Sequence, residues 1–336
     1  MKIQMVSIDY TTAPLAVRER FAMAEASCLK AYQEIRKEAP SCGAVILSTC
    51  NRTELYLSDT EIPAVDLLCR IRALDPKEYA GYFVHRQGIP VLRHLMEVAC
   101  GLRSQIIGED QILTQVRLAA QHAREAGASD AVLETVFRLA VTAGKRARTE
   151  YVLSKTPVSA AQHAISAAQT RFGSLQGVPA LVIGNGETGR LAATLLVQAG
   201  CQTAITLRQY KHADNVIPEG CRAVEYALRF AEAEKVSLLV SATKSPHYTV
   251  AYADACAMKR RPRLFLDLAV PRDIDPQIAS FPDTEILDID TLGGGGGADM
   301  EALAGCAAIM DKETERFLHW YTVRKNLQQK DGKQNG

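Results

Sequence analysis

The stretch VPALVIGNGETG, residues 178–189, decides how the chain is read. Its first six residues form an unbroken apolar run of strand length, the pattern of a strand covered on both faces within a parallel sheet. Gly184, Gly186 and Gly189 follow at GxGxxG spacing, and the residues beyond them read as a helix ending at Gly200. A second apolar strand, residues 203–207, comes next, so the order is strand, glycine turn, helix, strand: a βαβ unit. In such a unit the first glycine permits the tight turn and the second lets backbone approach a pyrophosphate. The third lets helix and strand pack closely, with the helix N-terminus facing the anion. Gly184, Asn185, Gly186, Glu187, Thr188 and Gly189 are therefore candidate dinucleotide-binding residues, against the plainer reading of a simple tight turn. Where the second strand ends, NAD sites usually present an acidic residue to the ribose. Arg208 stands there instead, with Lys211 nearby, and a guanidinium suits the 2′-phosphate of NADPH. The alternative for Arg208 is an exposed loop arginine.

Working outward toward the C-terminus, apolar strand candidates at 236–240, 264–268 and 285–289 alternate with helical or loop segments, the rhythm of a doubly wound, Rossmann-type parallel sheet. Residues 293–297 are five consecutive glycines, at about 1 kcal/mol each against helix, so a flexible joint is expected there. Beyond it, Met300, Leu303, Ala307 and Met310 keep helical spacing, and the polar end QQKDGKQNG is expected to fray. A joint this short spans about 12 Å on average, which keeps the last helix beside the cofactor domain.

Toward the N-terminus the chain mixes short strands and helices: strands at residues 1–9, 43–48 and 54–57, then a helix from Pro90 carrying Val91, Leu95, Val98 and Leu102, with His94 at the border of that stripe. A further helix begins at Ser129 or Asp130, places Val132, Val136, Leu139 and Ala143 on one face, and ends in Lys145, Arg146 and Arg148. It is expected to bridge two domains. The fold class is α/β: an N-terminal α+β domain over residues 1–150, a Rossmann-type domain over 151–292, a glycine-rich joint at 293–298, a C-terminal helix at 299–328 and a tail at 329–336.

Composition narrows the function classes. With 47% hydrophobic and 23% charged residues over 336 positions, the chain is long enough for two or three cores and is neither disordered nor collagen-like. Lys plus Arg (39) against Asp plus Glu (38) leaves +1, so any nucleic-acid contact must be a local patch. No run approaches the roughly 18 apolar residues of a membrane span. The nine cysteines include no CxxC pair, which argues against a zinc or dithiol site and fits a reducing cytoplasm.

One of those cysteines is unlike the rest. Ser48-Thr49-Cys50-Asn51-Arg52-Thr53-Glu54 sets a thiol in a polar turn between two strands, among hydroxyls and a guanidinium rather than apolar neighbours. Arg52 could lower the thiol's pKa or bind an anion, and turn amides could hold an oxyanion. The residue pattern alone leaves a nucleophile and a structural thiol both open.

STCNRTELY (48–56), RHLMEVACGLRSQIIGEDQILTQVR (93–117), KRARTE (145–150), IGNGETGR (183–190) and DLAVPRDID (267–275) occur together and in order. In these five motifs, and over about residues 3–327, the chain resembles the glutamyl-tRNA reductases. The resemblance implies NADPH-dependent reduction of the glutamyl ester on tRNA(Glu) to glutamate-1-semialdehyde with release of tRNA, the first step of tetrapyrrole synthesis from glutamate. It further implies that Cys50 attacks the ester to form a thioester, which hydride from NADPH reduces, and that His94 assists; a helix histidine satisfied by a neighbour is the other reading of His94. By the same resemblance Thr49, Asn51, Arg52, Ser104, Glu109, Asp110, Gln111 and Gln115 form the glutamate pocket, with Arg52 and Glu109 taking the substrate's carboxylate and amino group. The implied partners are charged tRNA(Glu) and a glutamate-1-semialdehyde aminomutase, with no membrane.

The chain departs from the family pattern in places. Arg103 stands where the family usually has Asp, Asp110 where it has Pro, and Ile8-Asp9-Tyr10 where it has Asn-His-Lys/Arg. The family's helical dimerisation domain has no counterpart before Gly336, which sets a homodimer in doubt. Lys145, Arg146 and Arg148 can be read as tRNA phosphate contacts or as cations favoured by the helix dipole. Two other functions compete: an NADP dehydrogenase of a small free metabolite, similar to shikimate dehydrogenase, which leaves STCNRTE without a role, and a non-catalytic regulatory paralogue, which leaves both motifs idle.

Overall fold

The computed structural model describes residues 2–109, 111–151, 153, 159–207, 216–292 and 300–334. Asp110, Arg208, Lys211 and the glycine run at 293–297 lie outside the described residues. Along the first half the elements are β1 (Ile3–Asp9), α1 (Leu15–Phe21), α2 (Glu25–Glu38), β2 (Gly43–Ser48), β3 (Arg52–Ser58), α3 (Ala64–Ile71), β4 (Val84–Gln87), α4 (Ile89–Cys100), α5 (Gln111–Glu125) and α6 (Ala131–Glu150). The second half runs α7 (Ala160–Phe172), β5 (Pro179–Ile183), α8 (Glu187–Gln198), β6 (Gln202–Leu207), β7 (Arg222–Glu225), α9 (Arg229–Ala233), β8 (Leu238–Ser241), α10 (Tyr252–Ala257), β9 (Leu264–Asp267), β10 (Glu285–Asp288), α11 (Ile289–Leu292) and α12 (Met300–Gln334). Two units divide the chain, one of residues 1–157 with 295–336 and the other of 158–294.

In the first unit an antiparallel sheet has the order β2-β3-β1-β4. Its register sets Ser7 opposite Glu54 and Asp9 opposite Arg52, so a row of polar groups crosses two neighbouring strands. α6 starts where the sequence suggests, with Asp130 Oδ1 accepting from the amides of Val132 (3.0 Å) and Leu133 (2.8 Å). Its crossing with α4 is close: a Cβ on Gly144 would lie 2.6 Å from the Ala99 carbonyl oxygen, so only glycine fits. α6 packs on α4, α5 and α12 within this unit.

The last helix belongs to the first unit: α12 buries Ala302, Cys306, Ile309, Met310 and Phe317 in its core. Its apolar stripe has the spacing to close over α4 and α6, and ion pairs from Arg93 to Asp311 (2.5 Å) and Arg146 to Glu313 (3.6 Å) flank the seam.

The second unit is a six-stranded parallel sheet in the order β10-β9-β8-β5-β6-β7, with β5 at the point where the strand order reverses. The period of two along each strand sorts its side chains onto two separate cores. Ala180, Val182, Leu238, Val240 and Leu266 pack with residues of α7 and α8 on one face. Leu181, Ile183, Leu239 and Phe265 pack with residues of α9 and α10 on the other.

Candidate active site

Cys50 lies at the tip of the β2–β3 hairpin. The turn is closed by the Thr49 amide donating to the Arg52 carbonyl (2.8 Å) and the Asn51 amide donating to Thr49 Oγ1 (3.2 Å). The thiol is half-buried, and beside it Asn51 is buried with an Oδ1 that accepts no hydrogen bond among the described residues. A buried acceptor left in that state costs about 1–3 kcal/mol, which an incoming donor such as an ammonium group would recover. Burial pushes the Cys50 thiol up to about 12, the Glu109 carboxylate adds to the rise, and the Arg18 and Arg52 cations pull it back only in part. The thiol is thus held protonated at rest, not activated by Arg52.

Arg52 pulls the thiol down only slightly, and its charge is largely engaged elsewhere. It is 2% exposed, donates from Nη1 to Glu54 Oε1 (3.0 Å) and from Nη2 to the Arg103 carbonyl, and faces Asp9 across the strand pair. Glu54 is the hub of this buried network. It accepts from Ser7 Oγ (3.2 Å), from the Tyr56 hydroxyl and from Arg52, and it meets His94 Nε2 at 2.8 Å. Burial alone would raise its carboxyl, yet His94 and Arg52 hold it well below the usual carboxylate range. His94, 3% exposed on α4, is oriented by that contact, and its Nδ1 is buried with no hydrogen bond among the described residues.

The loop after α4 brings Ser104 and Glu109 to the hairpin tip. Tyr10 ties the two together, its amide donating to the Asn51 carbonyl (3.0 Å) and its hydroxyl to the Ser104 carbonyl (3.3 Å). The charge reversed at Arg103 is answered by Glu97, at 2.7 Å. Gln111 and Gln115 share a half-buried face of α5, one turn apart. Arg148 donates to the carbonyls of Ala99 (2.7 Å), Gly144 (3.1 Å) and Glu109 (2.8 Å), and Arg146 pairs with Glu150 (3.0 Å) as well as Glu313. Two of the three cations read from sequence as possible phosphate contacts, Arg146 and Arg148, are therefore engaged by the protein; the third, Lys145, is exposed. Three residues here escape a sequence reading: Tyr10, Arg18 and Glu54. Only Glu54 leaves a signal, two positions from Arg52 and so on the same face of β3.

In the second unit the glycine turn follows β5 and opens α8, with Gly186 as the N-cap. Gly184 has φ +111°, and a Cβ there would lie 2.5 Å from the Ala242 carbonyl oxygen; one on Gly189 would overlap the Gly184 carbonyl, at 2.0 Å. At Gly186 a Cβ would meet nothing within 4 Å, so the space in front of the helix terminus is open. The Asn185 Oδ1 at this turn is buried and makes no hydrogen bond among the described residues. Open space and first-turn amides fit a bound pyrophosphate.

A glycine turn at the switch point of a doubly wound sheet is the arrangement of a dinucleotide-binding domain. Residues 6–151 match the family model described as glutamyl-tRNA(Glu) reductase, N-terminal domain, and residues 166–294 match the one described as shikimate/quinate 5-dehydrogenase. The glutamyl-tRNA reductase of Acetivibrio thermocellus is 45% identical over 332 residues, covering 97% of this chain and 99% of that one. That of Alkaliphilus oremlandii is 38% identical with the same coverage of 97% and 99%. A solved structure, the glutamyl-tRNA reductase of Methanopyrus kandleri, is 29% identical over 98% of this chain and 81% of its own, with a TM-score of 0.47. The chain belongs to the glutamyl-tRNA reductase family.

No helix among the described residues is long and apolar enough to cross a membrane, and no group of His, Cys, Asp and Glu among them could hold a metal ion.

Proposed function

We propose that the protein reduces the glutamyl ester of charged tRNA(Glu) to glutamate-1-semialdehyde with NADPH, releasing tRNA, as the first step of tetrapyrrole synthesis from glutamate. The observation that carries the reading is the half-buried Cys50 thiol at the tip of the β2–β3 hairpin, beside an unsatisfied Asn51 Oδ1. Residues 1–150 hold the glutamyl end of the tRNA and residues 151–292 hold NADPH, in the cytoplasm. The semialdehyde is then passed to an aminomutase.

The substrate itself would activate the thiol. Its ammonium group pairs with the Glu109 carboxylate and donates to Asn51 Oδ1, cancelling part of what keeps Cys50 protonated. The sulfur then attacks the ester carbonyl: a C–S bond forms, the C–O bond to the ribose breaks, and the tRNA 3′ oxygen leaves with a proton. His94, fixed through Glu54, is the group we assign to that proton. Arg52 holds the 101–109 loop by its bond to the Arg103 carbonyl, so its part is to place Ser104 and Glu109. NADPH, when bound, supplies the hydride that turns the thioester carbonyl carbon into an aldehyde and returns the thiolate to Cys50.

The test is incubation of the purified protein with glutamyl-tRNA(Glu) and NADPH. Wild type should give semialdehyde and NADPH oxidation, and without NADPH should carry glutamate as a thioester; Cys50→Ser should do neither. Folded wild type that oxidises no NADPH would overturn the reading.

A further inference from the structure

The DLAVPRDID segment, residues 267–275, marks the family but has no task in the reaction so far. In the structure it follows β9 and contains two fully buried aspartates, Asp267 and Asp273. Asp267 folds the segment onto itself, accepting from the amides of Ala269 (3.0 Å) and Ile274 (2.8 Å). Asp273 reaches across to the end of β8. Its Oδ2 accepts from Ser241 Oγ (2.7 Å) and the Thr243 amide (2.7 Å), and its Oδ1 accepts from Thr243 Oγ1 (2.6 Å). Its carbonyl accepts from the amides of Thr249 (2.6 Å) and Val250 (3.0 Å). One residue thereby grips both ends of the loop 242–248.

That loop stands beside the glycine turn. β8 and β5 are neighbours at the switch point, and the Cβ that Gly184 lacks would lie 2.5 Å from the Ala242 carbonyl oxygen and 3.1 Å from Thr243 Cγ2. In a doubly wound sheet the pyrophosphate lies over the glycine turn, and the two halves of the dinucleotide extend to either side of it. The β5-β6-β7 half ends where the adenosine ribose would lie, which leaves the β8-β9-β10 half, and so the loop 242–248, to the nicotinamide side. Burying a carboxylate costs several kcal/mol unless every oxygen is satisfied, as both oxygens of Asp273 are here. Burial and the neighbouring Asp273 also push the Asp267 carboxyl well above its usual range, against the pull of the backbone amides that it accepts. Such a costly arrangement at a crevice wall suits a role in fixing geometry.

We propose that Asp273 is a positioning residue for the cofactor: by clamping Ser241, Thr243 and Thr249 it holds the loop 242–248 as the fixed wall against which the nicotinamide half of the dinucleotide lies. The proposal rests on the reading of this unit as the NADPH site, and its test separates the two.

The measurement is direct binding to the full chain, titrating NADPH and, separately, 2′,5′-ADP, which carries the adenosine half alone. Asp273→Asn should weaken NADPH by about tenfold or more, as expected for a lost hydrogen bond to a charged group, while 2′,5′-ADP binds as to wild type. Thr243→Val should repeat that pattern, and Thr243→Ser, which keeps the hydroxyl, should restore NADPH affinity. Transfer of glutamate to Cys50 in the absence of NADPH should be unchanged in all three. NADPH affinity unaltered in Asp273→Asn, or an equal loss for both ligands, would overturn the proposal. Should Asp273→Asn fail to fold, the Thr243→Val and Thr243→Ser pair decides by the same criterion. Wild type that binds neither ligand would bring down the cofactor reading and this inference with it.

Discussion

At the scale of single residues, the first unit keeps its charges inside. Arg52, Glu54 and His94 are all nearly or fully buried, and each satisfies another: Arg52 at 3.0 Å and His94 at 2.8 Å from the same Glu54 Oε1. Removing one member of such a group is costlier than never having built it, because the remaining charges stay buried without their counterion. Glu54→Gln should therefore destabilise the first unit by about 3–5 kcal/mol. The pH dependence has a definite sign. The Glu54 carboxyl is held below its unfolded value, so its stabilisation is complete above the ordinary glutamate pKa of about 4.3 and is lost as pH falls from there toward the depressed folded value. Urea unfolding of wild type at a series of pH values should show stability of this unit falling below about pH 4.3. In Glu54→Gln that part of the slope should vanish; an unchanged slope would mean that Glu54 is not the group titrating.

At the scale of elements, the basic end of α6 decides between two physical pictures. A phosphate-binding arginine adds about one unit to the slope of log affinity against log salt, whereas one spent on carbonyls adds none. Arg148 donates to the carbonyls of Ala99, Gly144 and Glu109, so it joins the ends of α4 and α6 to the loop that carries the Glu109 carboxylate. Arg148→Met should lower the melting temperature and slow thioester formation, while the salt dependence of tRNA binding stays as in wild type. A slope reduced by about one would return Arg148 to the RNA surface. The same helix shows what a sequence can and cannot reveal. The α6 stripe and its Asp130 cap were legible because capping chemistry and a period of 3.6 are local, and the run at 178–183 was legible because a strand buried on both faces must be apolar throughout. β7 was not, since only one of its four residues is buried and no pattern survives. The partner of α12 was not either: helical spacing says which face is apolar, while the face that receives it belongs to helices some two hundred residues earlier. For the same reason the turn around Cys50 could be picked out, but not the upward shift of its thiol, which comes from burial and from Glu109 on a distant loop.

At the scale of the whole molecule, the two units have separate cores, one centred on β1–β4 with α4, α6 and α12, the others on the two faces of the parallel sheet. The proposed chemistry divides along the same line, with acyl transfer to Cys50 in one unit and the dinucleotide in the other. A ligand that binds one folded unit stabilises that unit by RT ln(1 + [L]/Kd), about 2.7 kcal/mol at a hundredfold excess over Kd. For a domain of this size that is a rise of roughly 5–10 °C in its melting temperature. Calorimetry of the intact protein should therefore resolve two transitions, of which NADPH raises one and leaves the other in place. Glu54→Gln should lower the transition that NADPH does not move, because Glu54 lies in the core of residues 1–157 and the glycine turn lies in residues 158–294. If both transitions rose together with NADPH, the units would unfold as one cooperative body, and the independence of thioester formation from cofactor binding would have to be abandoned with it.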